Sequence, residues 1–286
     1  MKSFRNGPTP EARRAGRLGV IALLSLALLS CLPMERRARS YIQALPAEQG
    51  REGLITAADL SPLPPVVRRY LEYSGVVGKP RIDSFSFTLE GRIRRGPEDT
   101  WMPVVARQYN LLSEPSRVFY IRGLRIPMAG IDSYMSGRGR MFIKLLNLFT
   151  VADSRGPEMD RSGLVTFLND LLVCPVAYFS VPVSWRQLDD RRAELSLSHA
   201  GHTVRAVLSF DAEGRLLDWE SADRFAEVKG RMLPDRWSTP MTGWGEVSGL
   251  RIPVAGAGVH DYGEGPFTYI ELTAIRDLAW NARCQW

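Results

Sequence analysis

The chain has 286 residues, is 45% hydrophobic and 24% charged, and carries a formal net charge of +6. Residues 1–30 supply +4 of that charge (Lys2, Arg5, Arg13, Arg14 and Arg17 against Glu11), so the remainder is close to balanced, with both signs interspersed. A nucleic-acid binder needs a clustered basic face, and none is present, so that class is excluded while a real hydrophobic core is affordable.

The first element is a leader. Its basic stretch precedes an apolar run, Leu18 to Ser30, closed by Cys31, and Leu28-Leu29-Ser30-Cys31 has the form of a bacterial lipobox. Positive charge resists translocation, so this order keeps the N-terminus in the cytoplasm and exports the rest of the chain. Leu18 to Leu29 falls short of the roughly 20 residues of a transmembrane helix. The expectation is a signal segment over residues 1–30 and lipidation of Cys31, whose acyl chains would meet the two-signal requirement for stable anchoring. The alternative is an uncleaved N-terminal anchor, favoured by Arg36, Arg37 and Arg39, because charge just past a cleavage site hinders export. Both of these leading readings attach the protein to a membrane and place its bulk outside the cytoplasm; a cytosolic protein is the third alternative.

Residues 31–60 are polar, alanine-rich and weakly patterned, and read as a tether with room for a short helix. Residues 61–286 then form a single β-rich domain. Ser61-Pro62-Leu63-Pro64-Pro65, followed by Val66, Val67, Tyr70 and Leu71 and stopped by Gly75, predicts a short helix. Residues 85–89, 104–112 and 118–121 alternate as strands, and a second helix is expected over 163–179, with Leu164, Phe167, Leu168, Leu171 and Leu172 on one face and Pro175 ending it. Strands follow over 193–198, 203–210, 216–221, 228–232, 243–248 and 268–275. The fold class is α+β: a curved antiparallel sheet or half-open β-barrel with two or three helices packed on one side or in the mouth. Gly123-Leu124-Arg125-Ile126-Pro127-Met128-Ala129-Gly130 is echoed by Gly249-Leu250-Arg251-Ile252-Pro253-Val254-Ala255-Gly256. This is expected to be one strand-exit turn used twice, not a domain duplication.

Chemistry-bearing patterns are sparse. His199 and His202 flank an Ala-Gly turn with no third ligand nearby, so an exposed turn is expected and no metal. His260 beside Asp261 reads as a polar loop residue. Cys174 sits in an apolar stretch as a small buried hydrophobe, and a disulfide to Cys284 is not required by spacing. No nucleophile elbow, phosphate loop or dinucleotide fingerprint occurs, and no cofactor is expected. What remains is polar residues inside apolar runs: Gln108, Asp132, Tyr134, Asp170 and Arg224. Buried acids need a cation, so Asp132 or Asp170 pairing with Arg224 is expected, either locking a helix onto the sheet or lining a ligand site. Trp101 and Trp237, with Tyr269, complete the candidate cluster; scattered core and rim tryptophans are the ordinary alternative.

Trp101-Met102-Pro103-Val104-Val105-Ala106-Arg107-Gln108, with Leu63 to Leu71 upstream, resembles a bacterial family of exported or membrane-anchored proteins known only as a domain of unknown function. The resemblance continues through Asp132-Ser133-Tyr134, Leu168-Asn169-Asp170, Pro175, Asp223-Arg224, Trp237, Gly245, Gly249 to Pro253 and Tyr269. It departs at Val104, Asp170, Cys174 and His260. It implies a half-open antiparallel barrel like those of periplasmic lipoprotein carriers, and no established activity.

The function expected is therefore a membrane-tethered, non-enzymatic envelope protein holding a lipid or other apolar ligand in its curved sheet. The alternatives are an envelope hydrolase using Asp132, Asp170 or His260, and an assembly scaffold marked by a broad exposed apolar patch.

Overall fold

The structure, a computed structural model, describes residues 33–283. The expectations at Cys31 and Cys284 lie outside the described residues. Helix α1 covers residues 33–44, followed by α2 (Ala57–Leu60) and α3 (Pro65–Ser74). Helix α3 starts on a proline, whose fixed φ suits a first turn, and stops where Gly75 adopts φ +75°.

Six strands then run as a meander: β1 (Ser84–Ile93), β2 (Met102–Leu111), β3 (Ser116–Gly123), β4 (Met128–Met135), β5 (Arg138–Leu145) and β6 (Phe149–Ser154). Helix α4 (Pro157–Asp170) and two 3-10 turns, Leu171–Val173 and Pro175–Phe179, separate them from β7 (Ser184–Gln187), β8 (Arg192–His199), β9 (His202–Phe210) and β10 (Leu216–Val228). The last strands are β11 (Arg231–Ser238), β12 (Met241–Val247), β13 (Leu250–His260) and β14 (Phe267–Trp280). Pairing of β14 with β1 joins the two meanders into one antiparallel sheet of order β6-β5-β4-β3-β2-β1-β14-β13-β11-β10-β9-β8-β7, with β12 attached to β13.

The sheet is curved. Asp160 of α4 accepts from Arg138 Nη1 and the Gly139 N–H of β5, each at 2.8 Å, while Ser162 Oγ accepts the Phe225 N–H of β10 at 2.9 Å. Strands β5 and β10 stand near opposite ends of the sheet order, so one helix reaches both only because the sheet bends around it. At one rim the arms meet directly: the Tyr134 hydroxyl lies 2.8 Å from His199 Nδ1, and Gly137 and Ala200 leave no room for another methyl group between them.

Period-2 alternation then gives each strand two destinations. On β2 to β5 the residues Gln108, Arg117, Phe119, Asp132 and Met141 face the inside of the curve. Their neighbours Tyr109, Val118, Tyr120, Ile131 and Phe142 face outward, and there they are covered by Met34, Ala38, Ile42 and Leu45 of α1 and its exit. That apolar stripe at helical spacing makes part of the segment expected as a tether into a packed helix.

Several boundaries differ from expectation. The second helix begins at Pro157 and ends at Asp170, with the remainder in 3-10 turns, because Leu171 to Phe179 follow the curve of the core in short steps. The strand expected over 228–232 is split by a two-residue turn: Val228 ends β10, Arg231 and Met232 begin β11, and Lys229 and Gly230 between them both take positive φ. The echoed octapeptides do different work. In the first copy Leu124 to Pro127 form the β3–β4 loop, whereas in the second Ile252 and Pro253 are strand residues of β13 pairing with Gly245 and Trp244.

Close approach of α4 to β5 depends on Gly139, where a Cβ would overlap the Met159 carbonyl. Gly139→Ala is expected to lower unfolding free energy by about 2–4 kcal/mol in urea titrations. Gly96→Ala, whose Cβ meets nothing closer than 3.8 Å, should leave it within about 0.5 kcal/mol.

Candidate functional site

The inside of the curve is hollow, in three adjoining chambers that share lining residues. The widest, ≈ 520 Å³, lies between β5, α4, β10 and the β13–β14 turn, and includes Asp132, Thr166, Arg224, His260, Tyr262 and Tyr269. Deeper in, a chamber of ≈ 140 Å³ is walled by Leu89, Phe119, Ile121, Ile143, Ile270 and Leu272. Behind it a third, ≈ 80 Å³, runs past Phe87, Leu172, Val173 and Met241. The two inner chambers have mainly aliphatic and aromatic walls, whereas the wide one also carries Arg95, Glu227, Lys229 and Glu264; Asp132, Thr166, Arg224 and Tyr269 line both the wide and the deeper chamber.

The polar network centres on Arg117. Its guanidinium, with only 3% of the side chain exposed, reaches Asp132 Oδ2 through Nη1 at 2.7 Å and Asp170 Oδ2 through Nε at 2.8 Å. Asn110 Nδ2 donates to the same Asp170 oxygen at 3.1 Å, and Gln108 Nε2 donates to Asn110 Oδ1 at 2.8 Å. Burial disfavours the Arg117 charge, but Asp132 and Asp170 outweigh it and hold the pKa above the ordinary arginine value. Burial pushes the Asp170 carboxyl up, against the pull of Arg117 and Asn110. Since Asp170 ends α4 and Arg117 sits on β3, the pair fastens helix to sheet.

Arg224 is the second inward guanidinium and is differently placed. Its side chain is 11% exposed, its Nε is buried with no hydrogen-bond partner among the described residues, and its nearest acid, Asp235, is 4.0 Å away. The guanidinium carbon lies 4.2 Å from the centre of the Trp237 ring. Burial, and then the like charge of Arg117, lower its pKa, with Asp235, Asp132 and Tyr269 opposing. Asp235 is occupied elsewhere: His260 Nδ1 lies 2.7 Å from Oδ2, and the Asp261 N–H donates to Oδ1 at 3.0 Å. The His260 ring in turn packs among Trp237, Phe267 and Tyr269, at centroid distances of 4.8, 5.5 and 5.1 Å. Burial, followed by Arg224, lowers the His260 pKa below its ordinary 6.5.

Six of the eight candidates from the sequence, Gln108, Asp132, Asp170, Arg224, Trp237 and Tyr269, line the deeper chamber. Tyr134 does not; it is fully buried against Gly163 and His199, and burial pushes its pKa to about 12. Trp101 stands at the rim with Arg92 and Arg94 each 4.7 Å from its ring. Both acids pair with Arg117, not with Arg224 as expected. Arg117 is readable in the sequence, since it shares inward parity with Phe119 and Ile121. Asp235 gives no local sign, because its partner lies 25 positions away. His199 is tied to Tyr134 instead of standing free in a turn, and among the described residues no group of three His, Cys, Asp or Glu could hold a metal ion.

Residues 53–272 match a family of unknown function, DUF6544. The chain belongs to this family. No curated protein matches it. Among solved structures, this DUF6544 chain is similar to a LolA superfamily protein from Nitrosomonas europaea, at 13% identity over 79% of this chain and 94% of that one, with a TM-score of 0.38. A second is described as a putative outer membrane lipoprotein-sorting protein domain from Vibrio parahaemolyticus, at 13% identity over 68% and 84%, with a TM-score of 0.41. Superposition at this level is loose, and the chemistry of this DUF6544 site rests on its own residues.

A histidine held neutral by burial resists protonation in the folded state, so the unfolded chain binds more protons below about pH 6.5 and stability falls with pH there. Urea titrations at about pH 7.5 and about pH 5 should show that loss, and His260→Gln should reduce it. His199→Gln is the comparison, since burial lowers the His199 pKa as well.

Proposed function

We propose that this protein is a non-enzymatic, membrane-tethered carrier that holds an amphiphile inside its curved sheet, with α4 lying across the mouth. The observation that carries the reading is the composition of the hollow: a largely apolar deeper chamber joins the wide one at an under-bonded guanidinium, Arg224, which lines both. An acyl chain gains by leaving water for walls such as Leu89, Ile121 and Leu272. A carboxylate or phosphate head gains charge-assisted hydrogen bonds from N–H groups that lack a close acceptor. The hydrolase reading fares worse, because Arg117 holds Asp132 and Asp170 together as a structural lock and Asp235 holds His260.

Tethering by the leader, with the folded part outside the cytoplasm, remains part of this proposal. It is supported by the basic-apolar-cysteine order of residues 1–31. Among the described residues no helix is long and apolar enough to cross a membrane.

Full-length protein exchanged from detergent into amphipol, then extracted and weighed by mass spectrometry, should release an amphiphile in near-stoichiometric amount. Arg224→Met should retain the fold and weaken binding of an anionic amphiphile at least ~10-fold, from loss of charged hydrogen bonds. Protein that yields no amphiphile and takes up none from micelles would refute the carrier reading.

A further inference from the structure

Six exposed large apolar side chains gather at one rim. Leu124 and Ile126 stand on the β3–β4 loop, and Leu146, Leu148, Phe149 and Val151 on the β5–β6 hairpin, at 37% to 72% exposure. The two tips are joined, since the Leu146 N–H donates to the Pro127 carbonyl at 2.7 Å. Residues 118–131 and 141–152 contain no acid, and their bases are Arg122, Arg125 and Lys144. Acids of the same rim, Glu98, Asp99, Asp261 and Glu264, belong to the β1–β2 and β13–β14 turns. A contiguous apolar patch of this kind marks a surface that meets something.

Two features fix what it meets. The wide chamber opens here, because Arg95, Lys229, Tyr262 and Glu264 line it from the tips of three hairpins at this rim. Helix α1 points here as well: Tyr41 meets Arg140, and one turn earlier Arg37 lies over Phe142, so the helix runs antiparallel to β5 and its N-terminal end heads toward Lys144 and Leu145. Residue 33, where the described chain begins, therefore lies toward the side on which the patch stands.

We propose that the β3–β4 and β5–β6 tips dock into the interface of a bilayer bearing anionic lipids, turning the mouth of the wide chamber toward that surface. Leu148 and Phe149 enter the headgroup and upper acyl region, while Arg122, Arg125 and Lys144 meet anionic headgroups. The acid-bearing turns on the other side of the mouth stand off, which tilts the domain and leaves a passage for a lipid between membrane and chamber. This goes beyond the carrier reading and stands without it.

The test uses full-length protein reconstituted in phosphatidylcholine vesicles with or without phosphatidylglycerol. A photoreactive diazirine side chain replaces Leu148 and, as the control, Leu217, which is 38% exposed at the start of β10, away from this rim. Lipid adducts at position 148 should exceed those at 217 about tenfold or more, and fall about threefold or more without phosphatidylglycerol. Adding Leu124→Glu and Phe149→Glu should abolish the excess while the thermal melt is retained. Equal yields at the two positions, equal yields with and without anionic lipid, or adducts to a second copy of this chain would overturn the proposal. Cavity content is measured in the same samples: lipid adducts at 148 on a protein with an empty hollow would uphold the docking rim and remove the carrier reading.

Discussion

A guanidinium placed inside an apolar shell must be paired, and the pairing of Arg117 organises this molecule. Its two acids come from different elements, Asp132 from β4 and Asp170 from the last turn of α4, so satisfying the charge brings helix and sheet to one fixed separation. Removing one partner from such a buried pair typically costs about 3–5 kcal/mol, because the survivor keeps its desolvation penalty. The glycines around α4 act in the same direction. Gly139 lets the backbone of β5 touch Met159, and Gly163 lets the helix lie on the Tyr134 ring. Close contact at one end of the helix and a paired charge at the other hold the arms of the sheet apart by a set distance, and the hollow is what lies between.

Within that frame the two inward arginines divide their tasks. Arg117 meets two carboxylates with its single charge, whereas Arg224 has no carboxylate closer than 4.0 Å among the described residues. The shortfall at Arg224 is sustained by the Trp237 face and by the more distant Asp235, which His260 and the Asp261 amide occupy. Buried donors without acceptors are uncommon in folded proteins, and one that borders a chamber is a natural place for a ligand oxygen.

How much of this is legible in the chain varies by element. The α3 stripe of Val66, Val67, Tyr70 and Leu71 is plain, as are β8 and β9, where apolar and polar residues alternate cleanly. Strands β4 to β6 are hidden, because Asp132, Gly137, Arg138, Gly139 and Arg140 interrupt the pattern with residues whose use is tertiary: an ion pair, a tight turn, a close approach. The start of α4 is hidden too, since Glu158, Asp160 and Arg161 carry no apolar stripe, and Asp160 is buried only because it caps the β5 backbone at Gly139. Inward polar residues can be nominated, but choosing Arg117 over Arg224 as their partner requires cross-strand register, which local sequence does not carry.

Helix α1 lies before the span that matches the family, yet it is cemented to the outer face of β2 to β5 through Met34, Ala38 and Ile42. From residue 33 onward there is consequently no slack: the helix is a rigid strut and not a leash. A protein on a long flexible stalk samples a hemisphere of positions and can ferry cargo across a gap. If the leader anchors the chain as proposed above, such a strut gives the domain a fixed heading and a short reach, and exchange of cargo with a second membrane or protein then requires the other party to come to it.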